Sequence, residues 1–177
     1  MALPTLTSLA KVAGISSSGI FAGYTWALSD AAMPAIIAAS DEVTVARQWR
    51  IQYLKGFLIA MPATVINILS WSYLAYITSD TFARQLFVTA AVTTGSGTVF
   101  AWTALRYING ALAIKADKSA GPQQSIALNY SRKESGTKNL EAGHSTQELA
   151  AKWKQYNAFR SVILLLGTVV GAYALAL

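Results

Sequence analysis

The chain has 177 residues, 54% of them hydrophobic and only 12% charged, with a formal net charge of +6, one histidine and no cysteine. An average soluble domain carries about 25% charged residues, so the composition argues against a hydrophilic globular enzyme. The lack of cysteine excludes disulfides, thiolate metal ligands and a catalytic thiol, and one histidine cannot by itself build an ordinary zinc, copper or haem site.

The charge deficit is concentrated in blocks. Residues 12–28, 56–79, 85–105 and 161–177 contain no Asp, Glu, Lys or Arg. Each is close to the ~20 residues that cross a bilayer's hydrocarbon core. They predict four membrane helices, about 9–29, 54–78, 84–108 and 156–177. The expected fold class is therefore all-α: a four-helix transmembrane bundle in a single domain over 1–177, with a long polar loop between the third and fourth helices. A soluble bundle is the alternative, but soluble helices keep a polar face and these largely do not. Only Lys11 precedes the first block and no small-residue cleavage site follows it, so a retained helix is expected there and not a signal peptide.

In chain order, the first helix carries Gly14, Ser18, Gly19 and Gly23 and ends at Trp26 and Asp30. The second is entered through Trp49, Tyr53 and Gly56, spaced i, i+4, i+7, and contains Pro62. The third is unusually small and polar at Thr93-Thr-Gly-Ser-Gly-Thr98 and ends at Trp102, Arg106 and Asn109. That composition suits either tight packing, with hydroxyls bonded back to the backbone, or room for a flat ligand. Residues 114–148 hold Gly121-Pro122, the lone His144 and the sequon Asn129-Tyr130-Ser131, and read as a flexible loop. The fourth helix opens with Trp153, Asn157 and Arg160 on one stripe and later carries Gly167 and Gly171. The pairs Gly19/Gly23 and Gly167/Gly171 let helix backbones approach closely, within the chain or in a homo-oligomer.

Charge orients the helices. Twelve of the fourteen basic residues flank or fill the two long loops, and only Lys11 and Arg84 lie on the other side. By the positive-inside rule both long loops are cytosolic, and both termini and the 78–84 turn lie outside or in a lumen. A glycan at Asn129 would overturn this orientation. The positive charge sits beside membrane helices, which points to anionic lipid and not to nucleic acid.

With that topology, four helix ends share one depth. They bring Trp26, Trp49, Trp102 and Trp153 together with Asp30, Tyr53, Arg106, Asn109, Asn157 and Arg160. An aromatic belt with snorkelling cations accounts for part of this layer. It accounts poorly for Asn109 and Asn157, because asparagine is disfavoured in helices. Hydrogen bonding between helices is one role for these amides. A pocket lined by indoles, amides and guanidinium groups for a flat, apolar, phenolic ligand is the other.

Three of these elements carry a resemblance: Trp153-x-x-x-Asn157-x-x-Arg160, Asn109-x-x-Leu112, and Trp49-x-x-x-Tyr53-x-x-Gly56. Together with the Gly-rich first helix and Pro34, they resemble the DUF1772 family. That family comprises four-helix membrane proteins and includes the fungal anthrone oxygenases of the emodin-anthrone and noranthrone types. The chain departs from the family pattern in the third helix, where Val99-Phe100-Ala101 stands in place of a Pro-aromatic-Thr element. The resemblance implies oxidation of an anthrone to an anthraquinone by O2 as co-substrate, without metal or organic cofactor, in polyketide secondary metabolism. It also implies an endoplasmic-reticulum or related internal membrane. Arg160, Asn157 and Asn109 would then stabilise negative charge and Asp30 would serve as the base. Trp153, Trp102, Trp49, Tyr53 and Arg106 would bind the substrate. A non-catalytic tetraspan scaffold is the alternative. A transporter is disfavoured, because no charged or broken helix crosses the expected midplane.

Overall fold

A long apolar segment with no water to bond its backbone has to satisfy its N–H and C=O groups internally, and a helix does so within one segment. In the computed structural model, which describes residues 5–121 and 132–177, every regular element is helical and no strand occurs among the described residues. Helix α1 spans Leu6–Ala27 and passes through a π-helical turn, Leu28–Ala32, into the short α2, Met33–Ile37, with Pro34 in its first turn. Helix α3 spans Glu42–Ile77, α4 Thr81–Thr103 and α5 Arg106–Ala120. After the undescribed stretch, α6 spans Ser135–Gly143 and α7 Thr146–Ala176.

Among the described residues three segments are long and apolar enough to cross a membrane: Leu6–Ile37, Glu42–Ile77 and Thr146–Ala176. Helix α4 is long but is not among them. Its Thr, Ser and Gly residues between 93 and 98 lower its hydropathy.

The polar stretch 114–148, expected to be a flexible loop, is largely helical where it is described. Helix α5 runs through to Ala120 because Ile108, Ala111, Leu112 and Ala116 form a buried apolar stripe at helical spacing. Helix α6 packs Gly136 against the Tyr107 ring, where a Cβ would come within 3.1 Å. The sequon Asn129-Tyr130-Ser131 lies outside the described residues. The helices also start earlier than the apolar blocks suggested. Asp41 caps α3, accepting the Thr44 N–H at 2.8 Å. Ser145 and Glu148 exchange backbone-to-side-chain bonds of 2.8 and 3.2 Å in a capping box that opens α7.

The chain divides into two compact units. The first holds the described residues up to Tyr24, together with Ile59–Val99 and Arg160–Leu177. One of its cores joins Ala10, Trp71, Leu74, Ala75, Phe87, Ala90 and Ala174, so α1, α3, α4 and α7 all contribute to it. Gly14 and Gly171 lie against the Trp71 indole, and Gly167 lies against Thr94. At the 78–80 turn Asp80 caps α4 through the Ala83 N–H at 2.7 Å, and Arg84 donates to the Thr78 carbonyl at 2.8 and 3.1 Å.

The second unit is Thr25–Leu58 and Phe100–Phe159. The start of α3 is tied to the start of α7 by Glu42, which accepts the Thr146 N–H at 3.0 Å and the Thr146 hydroxyl. Asp117 on α5 bridges Arg50, at 3.3 Å, and Arg132, at 3.2 Å, while Arg50 also donates to the Gly121 carbonyl at 3.0 Å. Arg106 pairs with Glu134.

Candidate functional site

A buried polar cluster of the second unit grows from the three motif-bearing helices. Trp49 on α3 is 0% exposed and Trp153 on α7 4%, and their rings meet edge to face at 6.5 Å. Tyr53, one turn beyond Trp49, stacks on it at 5.1 Å. The Trp153 indole N–H donates to Asn109 Oδ1 at 2.9 Å. An indole can only donate, so this bond sets the orientation of the buried Asn109 amide. The spacing that puts Trp153 and Asn157 on one face of α7 brings Asn157 to a different partner. Its Nδ2 donates to the Thr25 carbonyl at 3.2 Å and to Ser29 Oγ at 3.0 Å. Ser29 donates in turn to the Thr25 carbonyl at 3.0 Å. The π-helical turn that carries Ser29 is a local departure of a kind often found at functional sites.

Other expected members stand apart from this cluster. Trp26 and Trp102 are 49% and 52% exposed. Asp30 is exposed in the π-helical turn. Arg106 pairs with Glu134 and has its guanidinium 6.0 Å from the Tyr107 ring centre. His144 lies between the Leu140 carbonyl, 3.2 Å from Nδ1, and Lys152 Nζ, 2.6 Å from Nε2. Phe100, in the element where the family pattern departs, packs on Tyr156 and Phe159 at 6.3 and 5.5 Å.

Arg160 belongs to the first unit. Its Nε donates to the Gly97 carbonyl at 2.8 Å, and its guanidinium lies over the Phe21 ring, 4.9 Å from the centre. A Cβ at Gly97 would meet Leu164 at 2.7 Å, so a side chain there requires Leu164 to shift. One residue on, the Thr98 hydroxyl lies 2.7 Å from that of Thr64. Sequence spacing missed Thr25 and Ser29, the partners of Asn157 in the second unit, and Phe21 and Gly97, partners of Arg160 in the first. Thr25-x-x-x-Ser29 shares one helical face, and that was the only signal available for any of them.

Among the described residues no three of His, Cys, Asp and Glu group closely enough to hold a metal ion. The hydrogen bonds of the cluster run between an indole, amides, the Ser29 hydroxyl and a backbone carbonyl.

A family model, Anthrone oxygenase, matches residues 49–170. The chain belongs to that family. The match begins at Trp49 and includes Asn109, Trp153, Asn157 and Arg160, whereas Phe21, Thr25 and Ser29 precede it. No curated protein and no solved structure matches the chain.

Proposed function

We propose that this member of the anthrone oxygenase family is itself an oxygenase, converting an anthrone to an anthraquinone with O2 and no metal or organic cofactor. The observation that carries the reading is that Trp49, Asn109 and Trp153, all inside the family match, assemble one buried aromatic and amide cluster. Such a lining suits a flat phenolic ring system delivered from the membrane.

The substrate's own chemistry explains why so little machinery suffices. An anthrone's methylene is acidic because its conjugate base is an aromatic phenolate. A base, for which Asp30 is the candidate, removes one methylene proton, and the negative charge spreads onto the ring carbonyl oxygen. The anion gives one electron to O2, and the resulting radical pair closes a carbon–oxygen bond to form a peroxide anion. The base returns its proton to that peroxide. The O–O bond then breaks as the second methylene hydrogen leaves as a proton. The methylene carbon has become a carbonyl, and the other oxygen departs as water. Hydrogen-bond donors in a low-dielectric site favour both the first anion and the peroxide, and Arg160, Asn157 and Asn109 are the proposed donors. Trp153, Trp102, Trp49, Tyr53 and Arg106 are proposed to hold the ring.

In this reading four helices cross an internal membrane, α4 being the fourth, with the long loops cytosolic. Arg160→Ala and Asn157→Ala, measured with an anthrone under O2, are expected to lose at least about 100-fold in turnover while still inserting and folding. Normal turnover in both variants would end the site assignment.

A second reading, a non-catalytic partner of another membrane protein, draws on Gly19 and Gly23. A Cβ at either position would meet nothing within 4 Å, leaving a small-residue face that none of the described residues fills. It predicts that bulky residues at 19 and 23 produce the phenotype and that Arg160→Ala does not.

A further inference from the structure

Two buried indoles, Trp49 and Trp71, have an N–H with no acceptor among the described residues. An unpaired donor away from water is unfavourable, and phenylalanine would fill much of such a slot without that cost. A tryptophan held there therefore calls for a reason. Trp71 has one in packing alone. Its ring lies between Gly14 and Gly171, where added Cβ atoms would come within 3.1 and 2.7 Å, and it stacks on Phe87 at 6.0 Å.

Trp49 is a different case. It is fully buried in the cluster that the family match covers, beside Trp153, whose own N–H is satisfied by Asn109. The two indoles meet edge to face, yet only one has an acceptor among the described residues. Trp49 is also stacked on Tyr53, a half-buried ring whose centre lies 5.1 Å away.

We propose that the Trp49 indole N–H is the hydrogen-bond donor to the ring carbonyl oxygen of a flat aromatic ketone, the oxygen on which charge accumulates when the neighbouring methylene is deprotonated. This rests on the oxygenase reading and gives Trp49 a catalytic role in place of ring stacking. A donor aimed at an oxygen that gains charge stabilises the anion more than the neutral ketone, so it accelerates proton removal and does not simply tighten binding.

The test uses the full chain in lipid nanodiscs, with anthraquinone as an unreactive probe. Isotope-edited infrared spectroscopy reads its carbonyl stretch. In the wild-type protein the stretch should fall below that of the probe in empty nanodiscs. Trp49→Phe should restore the lipid value, and Trp71→Phe should leave the wild-type value unchanged. With an anthrone, Trp49→Phe should lower kcat about 100-fold with little change in KM. A wild-type carbonyl stretch in Trp49→Phe overturns the assignment. If that variant fails to fold, replacing Trp49 by 3-benzothienylalanine keeps the ring's shape and removes only the N–H, and the same two outcomes apply. Failure of the oxygenase reading is recognised separately, by wild-type protein that does not turn over anthrones. The infrared measurement still decides the role of Trp49 in that event.

Discussion

Glycines that look alike in the sequence differ sharply in what surrounds them. A Cβ at Gly171 would come within 2.7, 2.8 and 3.0 Å of Trp71 ring atoms, and one at Gly167 within 2.6 Å of the Thr94 methyl and 3.1 Å of its backbone nitrogen. At Gly19 it would meet nothing within 4 Å. Gly171→Ala should therefore cost about 1–3 kcal/mol through overpacking against a rigid indole. Gly19→Ala should be neutral, or stabilising by up to about 1 kcal/mol, because alanine is the better helix former. Thermal unfolding of the detergent-solubilised chain compares the two directly, and equal effects would mean that Gly171 is not packed as described. The residue scale also shows where spacing stops informing. Trp153, Asn157 and Arg160 share a stripe by helical arithmetic, but their partners are remote. The Asn157–Ser29 bond joins residues 128 positions apart, and Arg160 meets a glycine carbonyl and a phenylalanine ring far from it in the chain. Nothing local in a sequence marks a carbonyl as the acceptor of a distant amide.

Among the elements, apolar runs identify helices but set their ends poorly. Hydropathy reports where a helix can lie in hydrocarbon, whereas the hydrogen-bonded helix continues as long as its backbone and caps allow. Helices α3 and α7 begin at Glu42 and Thr146, well before the helix starts expected at 54 and 156. Neither the capping box Ser145-x-x-Glu148 at the start of α7 nor the stripe Ile108-Ala111-Leu112-Ala116 in α5 was read from the sequence. Both were masked by the surrounding Gly, Ser and charge of the 114–148 stretch. The C-terminal part of α5 depends on Asp117, which stands between Arg50 and Arg132. The Arg50 side chain is 10% exposed, so removing the carboxylate's charge leaves a guanidinium poorly compensated. Asp117→Asn is expected to destabilise the chain by about 1.5–3 kcal/mol. Hydrogen exchange at the C-terminal end of α5 should report the loss, and unchanged protection there would show that the bridge is dispensable.

For the whole molecule, the open matter is which surfaces face which side of a membrane. Three segments meet the criteria of length and apolarity for crossing, and α4 reaches the length with a more polar composition. A thiol-free chain makes the topology directly measurable. Ser135 and Ser79 are both exposed and lie on opposite sides of α4 in sequence. With the positive-inside orientation, Ser135→Cys should react with a membrane-impermeant maleimide in sealed microsomes, and Ser79→Cys only after permeabilisation. Labelling of both from the cytosolic face would mean that α4 does not span and that the fourth crossing is lost.

Composition alone established an all-helical, membrane-suited chain, because long uncharged stretches leave the backbone few other ways to bond itself. Short motifs at helical spacing were enough to place it in its family, since those spacings record which side chains share a face. Only the tertiary structure separated the tryptophans, leaving Trp26 and Trp102 exposed and burying Trp49 and Trp153 in contact. It alone distinguished a satisfied indole N–H from an unsatisfied one. Burial and hydrogen-bond partnership depend on residues far apart in the chain, and periodicity carries no information about them.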